Sequence, residues 1–288
     1  MQWVNIIVQG ILLGGLYALY GTGLSLIFGV MRLVNLAHGD FIVVAAYLAL
    51  LAGQLLGVSP YLSLVVVVPL MFALGLLMQL GLLNRTLGRG LMPPLLITFG
   101  LSVMLQNILL LLFTADSRGL DAGAIETASF EVGGVAIGLA PLLTFIVAVC
   151  VLLALQWFFS NTMLGRAFRA TSDDPDTAEL MGIDSRRIYA LAMGLSLAVV
   201  AVAGVLLGVR TNFAPTDGPA RLIFAFETVI IGGLGSLWGT LLGGMLLGVA
   251  QTVGAQFNPA WFQLAGHIVT LLVLAFRPTG LFARTRDV

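Results

Sequence analysis

Two stretches of this chain, residues 41–84 and 228–276, run for 44 and 49 residues without one Asp, Glu, Lys or Arg. Four more charge-free stretches cover residues 1–31, 90–115, 132–165 and 188–209. A helix that crosses the hydrocarbon core of a bilayer needs about 20 apolar residues, so each long stretch has to hold two passes. Only 9% of the residues are charged, against roughly a quarter in a soluble domain. Strands of an outer-membrane barrel would alternate in polarity over roughly ten residues, and these runs do not alternate. The sequence therefore predicts an all-α polytopic membrane protein with about eight or nine membrane-inserted helices, in a single transmembrane domain over residues 1–288.

Several function classes fall away on the same grounds. Net charge is zero, which gives no footprint for nucleic acid or another polyelectrolyte. Cys150 is the single cysteine and can form no internal disulfide. Neither His38 nor His267 has metal-ligand company at useful spacing, and no nucleophile, base and orienting group can be assembled. No catalytic or metal-binding residue is expected, and no enzyme activity. The N-terminus, MQWVNIIVQG, lacks the basic region of a cleavable signal peptide, so the first helix is expected to stay in place.

Full-length helices are expected at residues 5–28, 41–58, 61–83, 94–113, 141–159 and 188–209. All thirteen basic residues are arginines, and their distribution sets the orientation. Arg85, Arg89, Arg166, Arg169, Arg186, Arg187, Arg277, Arg284 and Arg286 are placed on the cytoplasmic side, with Arg32. Arg118, Arg210, Arg221 and the acidic loop 116–131 are placed outside. The N-terminus then lies outside and the C-terminus in the cytoplasm. A parity problem follows, because residues 210–277 must cross an odd number of times while 222–276 read as two spans. The run GGLGS, residues 232–236, cuts that region into pieces at 223–231 and 237–253. Gly232, Gly233 and Gly235 fit a broken or re-entrant segment, or an ordinary kink against a neighbouring helix.

Polar residues at membrane depth are costly and are functional candidates. Asn35, His38, Gly39 and Asp40 lie between the first two helices, where a solvated turn is the alternative. A second run, NFAPTDG from Asn212, begins Asn-x-Ala and ends in an Asp and a Gly within a few residues, as the first does, on the opposite face. The pair suggests inverted repeats with broken helices. Glu227 is a candidate pathway residue or an interfacial one, and His267 a candidate or a packing residue. Gly10 with Gly14, Gly204 with Gly208, Gly239 with Gly243 and Gly244 with Gly248 read as helix-packing pairs.

Polarity returns in one place. Residues 161–187, NTMLGRAFRATSDDPDTAELMGIDSRR, hold nine charged residues in 27. Asp174 before Pro175 gives an N-cap followed by proline at the first helical position, and Gly182 a stop. A two-turn helix over 175–181 is predicted, with a small apolar surface from Ala178, Met181 and Ile183. Arg166 and Arg169 extend the preceding helix beyond the bilayer. Such a helix, set between two spans, fits a surface that presses on a partner, or a solvated loop.

Four segments carry a family resemblance: GLSLIFGVMRLVNLAHGDF at 23–41, GRAFRATSDDPDTAELMGID at 165–184, IIGGLGSLWGTLLGG at 230–244 and RPTGLF at 277–282. Together they resemble the permease subunits of branched-chain amino-acid ABC transporters, specifically the H-type subunit of the leucine, isoleucine and valine system. The resemblance implies half of a translocation pathway in the bacterial inner membrane. It implies a second homologous permease, two cytoplasmic ATPases and a periplasmic or lipid-anchored binding protein as partners. It implies that the chain itself binds no cofactor, ATP and Mg being held by the ATPases. The coupling loop would be 161–187, with Gly165, Arg166, Arg169, Ala170, Asp174, Pro175, Ala178, Glu179, Met181 and Gly182 as coupling residues. Asn35, His38, Gly39, Asp40, Asn212, Glu227, Gly232, Gly233 and Gly235 would line or gate the pathway. A urea or short-amide permease of the same family is an alternative, and an ion-coupled secondary transporter is one of a different class.

Overall fold

A computed structural model describes residues 2–87, 90 and 92–282 of the chain, which leaves Arg89, Arg284 and Arg286 outside the described residues. Among the described residues, seven helices are long and apolar enough to cross a membrane. These are α1 (Gln2–Met31), α2 (His38–Leu56), α3 (Pro60–Gly81), α4 (Met92–Phe113), α6 (Leu139–Asn161), α9 (Ser185–Arg210) and α11 (Leu237–Phe257). Two shorter ones, α10 (Gly218–Gly232) and α12 (Trp261–Phe276), complete the bundle. Between α4 and α6 lie a four-residue helix, α5 (Ala124–Thr127), and a hairpin of β1 (Ser129–Val132) and β2 (Val135–Gly138). Gly133 and Gly134 at its tip both have positive φ, which a tight two-residue hairpin turn requires.

The hairpin marks one face of the bundle. Gln9 near the start of α1 donates to the Ala136 carbonyl oxygen at 2.6 Å, so α1 starts at that face. At the opposite face Ser172 of α7 (Met163–Asp173) donates to the Gly29 carbonyl near the end of α1. The polar loop predicted from the sequence is built as α7 and α8 (Pro175–Leu180) on this second face.

α1 and α9 are largely enclosed, whereas α3, α4 and α6 leave most of their apolar surface outside. Lipid is as apolar as leucine, so helices associate there through close backbone approach rather than hydrophobic burial. Three of the four predicted glycine pairs supply it, together with Gly204 of the fourth, whereas Gly208 lies against the loop residues Leu120 and Phe213. Gly10 and Gly14 of α1 meet Val249 and Met245 of α11, while Gly244 and Gly248 of α11 meet the Gly14 and Gly10 carbonyls. Gly204 of α9 meets Ile42 of α2, and Gly239 and Gly243 of α11 meet Gly232 and Thr228 of α10.

The parity problem resolves in an instructive way. His38, the first residue of α2, bonds through Nε2 to the carbonyl of Tyr20, in the middle of α1, at 2.8 Å. Residues 32–37 therefore climb back into the bundle before α2 begins, and Arg32 in the left-handed region at φ +52° lets the chain reverse. α2 then runs to the hairpin face, where Tyr47 stacks on Phe113 and meets Phe213 edge-on. Phe213 pairs in turn with Arg118. From that face residues 211–217 descend to the start of α10, whose Gly218 lies against Gly39 and Asp40. α10 continues to the α7–α8 face, where Gly235 touches Gly29. Loop and short helix together make one crossing, and α11 and α12 supply two more. The helix break at Gly232 is present, but it turns the chain at the face. Irregular backbone at depth occurs at 32–37 and 211–217.

Candidate functional site

The two motifs that begin Asn-x-Ala come together inside the bundle. α2 and α10 start at the same place and run to opposite faces, as an inverted pair of half-helices does. A side chain on Gly39 would strike the Gly218 carbonyl, and one on Gly218 would strike Asp40. Only glycine at both positions permits this contact.

Asn35, His38 and Asp40 at the junction are buried. Asn35 turns its side chain back to accept from the Ala37 N–H at 3.0 Å. Asp40 Oδ1 accepts from Gln106 Nε2 of α4 at 2.9 Å, and Gln106 also donates to Ser102. Beside the second half-helix, Asp217 Oδ2 pairs with Arg221 at 3.2 Å and accepts from the Ala214 N–H. His38 Nδ1, Asn35 Nδ2 and Asp40 Oδ2 have no hydrogen-bond partner. Buried groups left unpaired are costly, and three of them lie in the segment where the first half-helix begins. Gln106 and Ser102 were not legible as partners, because α4 is apolar around most of its circumference and nothing in its pattern points one residue toward Asp40.

The other candidates distribute over three places. Asn212 lies on the hairpin face, in a cavity of about 420 Å³ that it shares with Asp121, Glu126 and Arg210. Glu227 of α10 is buried and pairs with His267 of α12, whose side chain stays 43% exposed. Two residues read separately in the sequence are thus one pair. Gly232, Gly233 and Gly235 form the turn from α10 to α11, with Gly233 and Gly235 at positive φ. The RPTGLF segment, carried in the sequence only as part of a motif, seals this turn. Leu281 and Phe282 donate their N–H groups to the Ile231 and Gly232 carbonyls at 3.0 Å, and Gly280 packs on Gly233.

The α7–α8 loop is tied down by helix caps and by packing on the end of α6. Thr162 caps α7 by accepting from the Gly165 N–H at 2.9 Å, and Gly165 lets that turn lie directly on Phe158 and Phe159. Phe168 packs edge-on against both of those rings. Asp174 caps α8, accepting from the N–H groups of Asp176 and Thr177 and from the Thr177 hydroxyl. These bonds, the hydroxyl foremost, hold its carboxyl below the usual carboxylate range. Gly182, at φ +85°, ends the helix. Ala178 is 3% exposed and anchors the element through its carbonyl, which accepts from Met181 and Ile183. Leu180 and Met181 project outward, 87% and 79% exposed. Arg166, Arg169, Pro175 and Glu179 are also exposed, and Ala170 is half-buried.

Against this geometry, residues 6–275 match the family described as branched-chain amino acid transport system / permease component. The chain belongs to that family. It is 33% identical to the high-affinity branched-chain amino acid transport system permease protein BraD of Pseudomonas aeruginosa, over 98% of this chain and 96% of that one. It is 28% identical to LivH of Escherichia coli over 96% of this chain and 94% of LivH. LivM of the same organism, also a permease protein of that transport system, is 28% identical over 94% of this chain and 68% of its own length. As a family member the chain is a multi-span permease component.

Proposed function

We propose that this chain is one of two permease subunits of an ATP-driven importer of branched-chain or related amino acids. The observation that carries the reading is the family match over residues 6–275. The relatives' names supply the substrate class. Two homologous permease names, LivH and LivM, within one organism support pairing with a second, similar subunit.

In this reading ATP and Mg are bound and hydrolysed by two cytoplasmic ATPases, and this chain holds no cofactor. A binding protein delivers substrate to the hairpin face, which lies outside the cytoplasmic membrane. The loop 161–187 is the coupling element of a single transmembrane domain. Leu180 and Met181 enter a groove on the ATPase, flanked by Arg166, Glu179 and the capped start at Asp174 and Pro175. Thr162, Gly165, Phe168, Ala170, Ala178 and Gly182 keep the lever stiff, so that ATPase closure moves α7 and with it the end of α1. The junction of Asn35, His38, Gly39 and Asp40 with Gly218 serves as the gate between two inversely related halves. Asn212 lies at the outer entrance, and Glu227 and the Gly232, Gly233 and Gly235 turn lie toward the inner exit.

The test is a double substitution, Leu180→Ser with Met181→Ser, in the permease co-expressed with its ATPases. Exposed residues tolerate such changes with small effects on folding, usually within about 0.5 kcal/mol. The expected result is a correctly inserted permease that no longer co-purifies with ATPase and no longer transports. Normal association and uptake by the double variant would overturn the coupling assignment. The pairing of Glu227 with His267 within the bundle also suits ion-coupled transport. That alternative requires uptake by this chain alone in liposomes under an ion gradient, whereas ATP-driven import requires none.

A further inference from the structure

A second cavity, of about 310 Å³, opens at the α7–α8 face between the ends of α1 and α6, the outer side of α7 and the start of α11. Its polar wall comprises Ser25, Gln156, Ser160, Arg169, Ser172 and Ser236. Most of these are engaged with one another or with backbone. Gln156 donates to Ser160 at 3.2 Å, Ser172 donates to Gly29, and Ser236 accepts from the Gly239 N–H at 3.1 Å. Two are not. Ser25 is 1% exposed and its hydroxyl has no hydrogen-bond partner. Arg169 forms no ion pair with any described residue. The cavity is also where the 21-residue α11 begins, and the first N–H groups of a helix lack intrahelical acceptors and carry its positive dipole end.

A guanidinium, a helix N-terminus and a buried hydroxyl without a partner on one cavity wall suit an anion with several acceptor oxygens. The rest of the wall, Leu26, Val30, Phe159, Leu237 and Trp238, is apolar. The volume is that of about ten waters at about 30 Å³ each, more than a five-atom phosphate displaces. Exposed Trp238 stands at the rim, the place an aromatic side chain takes at a membrane–water interface. Basic pockets between transmembrane helices on the cytoplasmic side bind acidic lipid headgroups. We propose that this cavity is a binding site for the phosphate headgroup of an anionic phospholipid. Arg169 and the first N–H groups of α11 hold the phosphate, Ser25 donates to the headgroup, and the acyl chain leaves past Trp238. A zwitterionic headgroup is disfavoured, because its cation would lie near Arg169. The bound lipid would join α7 to α1 and α11, so the leaflet composition would tune how firmly the α7–α8 element is attached.

The proposal is tested by native mass spectrometry of the full-length protein, delipidated in mild detergent and titrated with phosphatidylglycerol or phosphatidylcholine. One phosphatidylglycerol should be retained at least about tenfold more strongly than phosphatidylcholine, a difference of about 1.4 kcal/mol. Arg169→Gln should erase that preference, Ser25→Val should weaken it, and Arg169→Lys should keep most of it and guard against misfolding of the neutral variant. Equal retention of the two lipids, or an unchanged preference in Arg169→Gln, would refute the site. Displacement of the lipid by inorganic phosphate at low millimolar concentration would refute the lipid assignment and leave a free phosphate as the ligand. None of these readouts depends on transport, so they stand apart from the importer reading.

Discussion

Gly39 shows how much a single residue can constrain. Its hydrogen side chain lets the start of α2 rest on the Gly218 carbonyl at the start of α10, and overpacking of such a contact costs roughly 1–3 kcal/mol. Gly39→Val should therefore lower the thermal unfolding midpoint in detergent by several degrees. Gly100→Ala, at a helical position with nothing within 4 Å of the added carbon, should leave the midpoint unchanged or slightly raised. Equal midpoints for the two variants would remove the half-helix junction from the fold's critical contacts. Asp40 was legible as an ionisable group at depth, since a charge between two apolar helices stands out in any sequence. Its bond to Gln106 was not legible, because residues 66 positions apart meet only through tertiary packing.

At the scale of elements, local chemistry was the most readable. Asp174, Pro175 and Gly182 announced both ends of α8, and the helix runs Pro175–Leu180, because capping and backbone conformation are decided within a few residues. The cap also yields a pH dependence with a definite sign. The Asp174 carboxyl is held below its usual range by its bonds to Thr177 and Asp176. The stability it lends is thus present above the ordinary aspartate value, about 3.9, and is lost as pH falls through the lower folded-state value. Hydrogen exchange of residues 176–181, corrected for the intrinsic pH dependence of exchange, should accelerate on acidification below about pH 4. Asp174→Asn, which keeps one capping oxygen without its charge, should flatten that response. Acceleration of the same size in Asp174→Asn would place the titrating group elsewhere. The half-helices were harder to read. The sequence showed a glycine break at 232–236 and two similar Asn-x-Ala runs. Depth in the bilayer is a property of neighbouring helices, so only the contacts of Tyr20 and Gly218 place the irregular backbone at 32–37 and 211–217 and the break at the face.

For the molecule as a whole, direction of travel follows from which helix ends share a face, while the side of the membrane each face meets rests on charge. The hairpin and the start of α1 lie together, and so do α7, α8, the end of α1 and residues 280–282. Arginines cluster at the second face, and the positive-inside rule is the ground for proposing that this face is cytoplasmic. Cys150 is the chain's single cysteine and it is exposed on α6, so Cys150→Ala provides a thiol-free background without emptying the core. Into it, Glu131→Cys places a thiol on the exposed part of the hairpin and Glu179→Cys one on α8. In intact cells with a permeable outer membrane, a membrane-impermeant maleimide should label the first and spare the second until the inner membrane is opened. The reverse pattern would invert the whole bundle and bring Leu180 and Met181 to the outside. No ATPase could reach them there, and the lever assignment would fail together with the orientation.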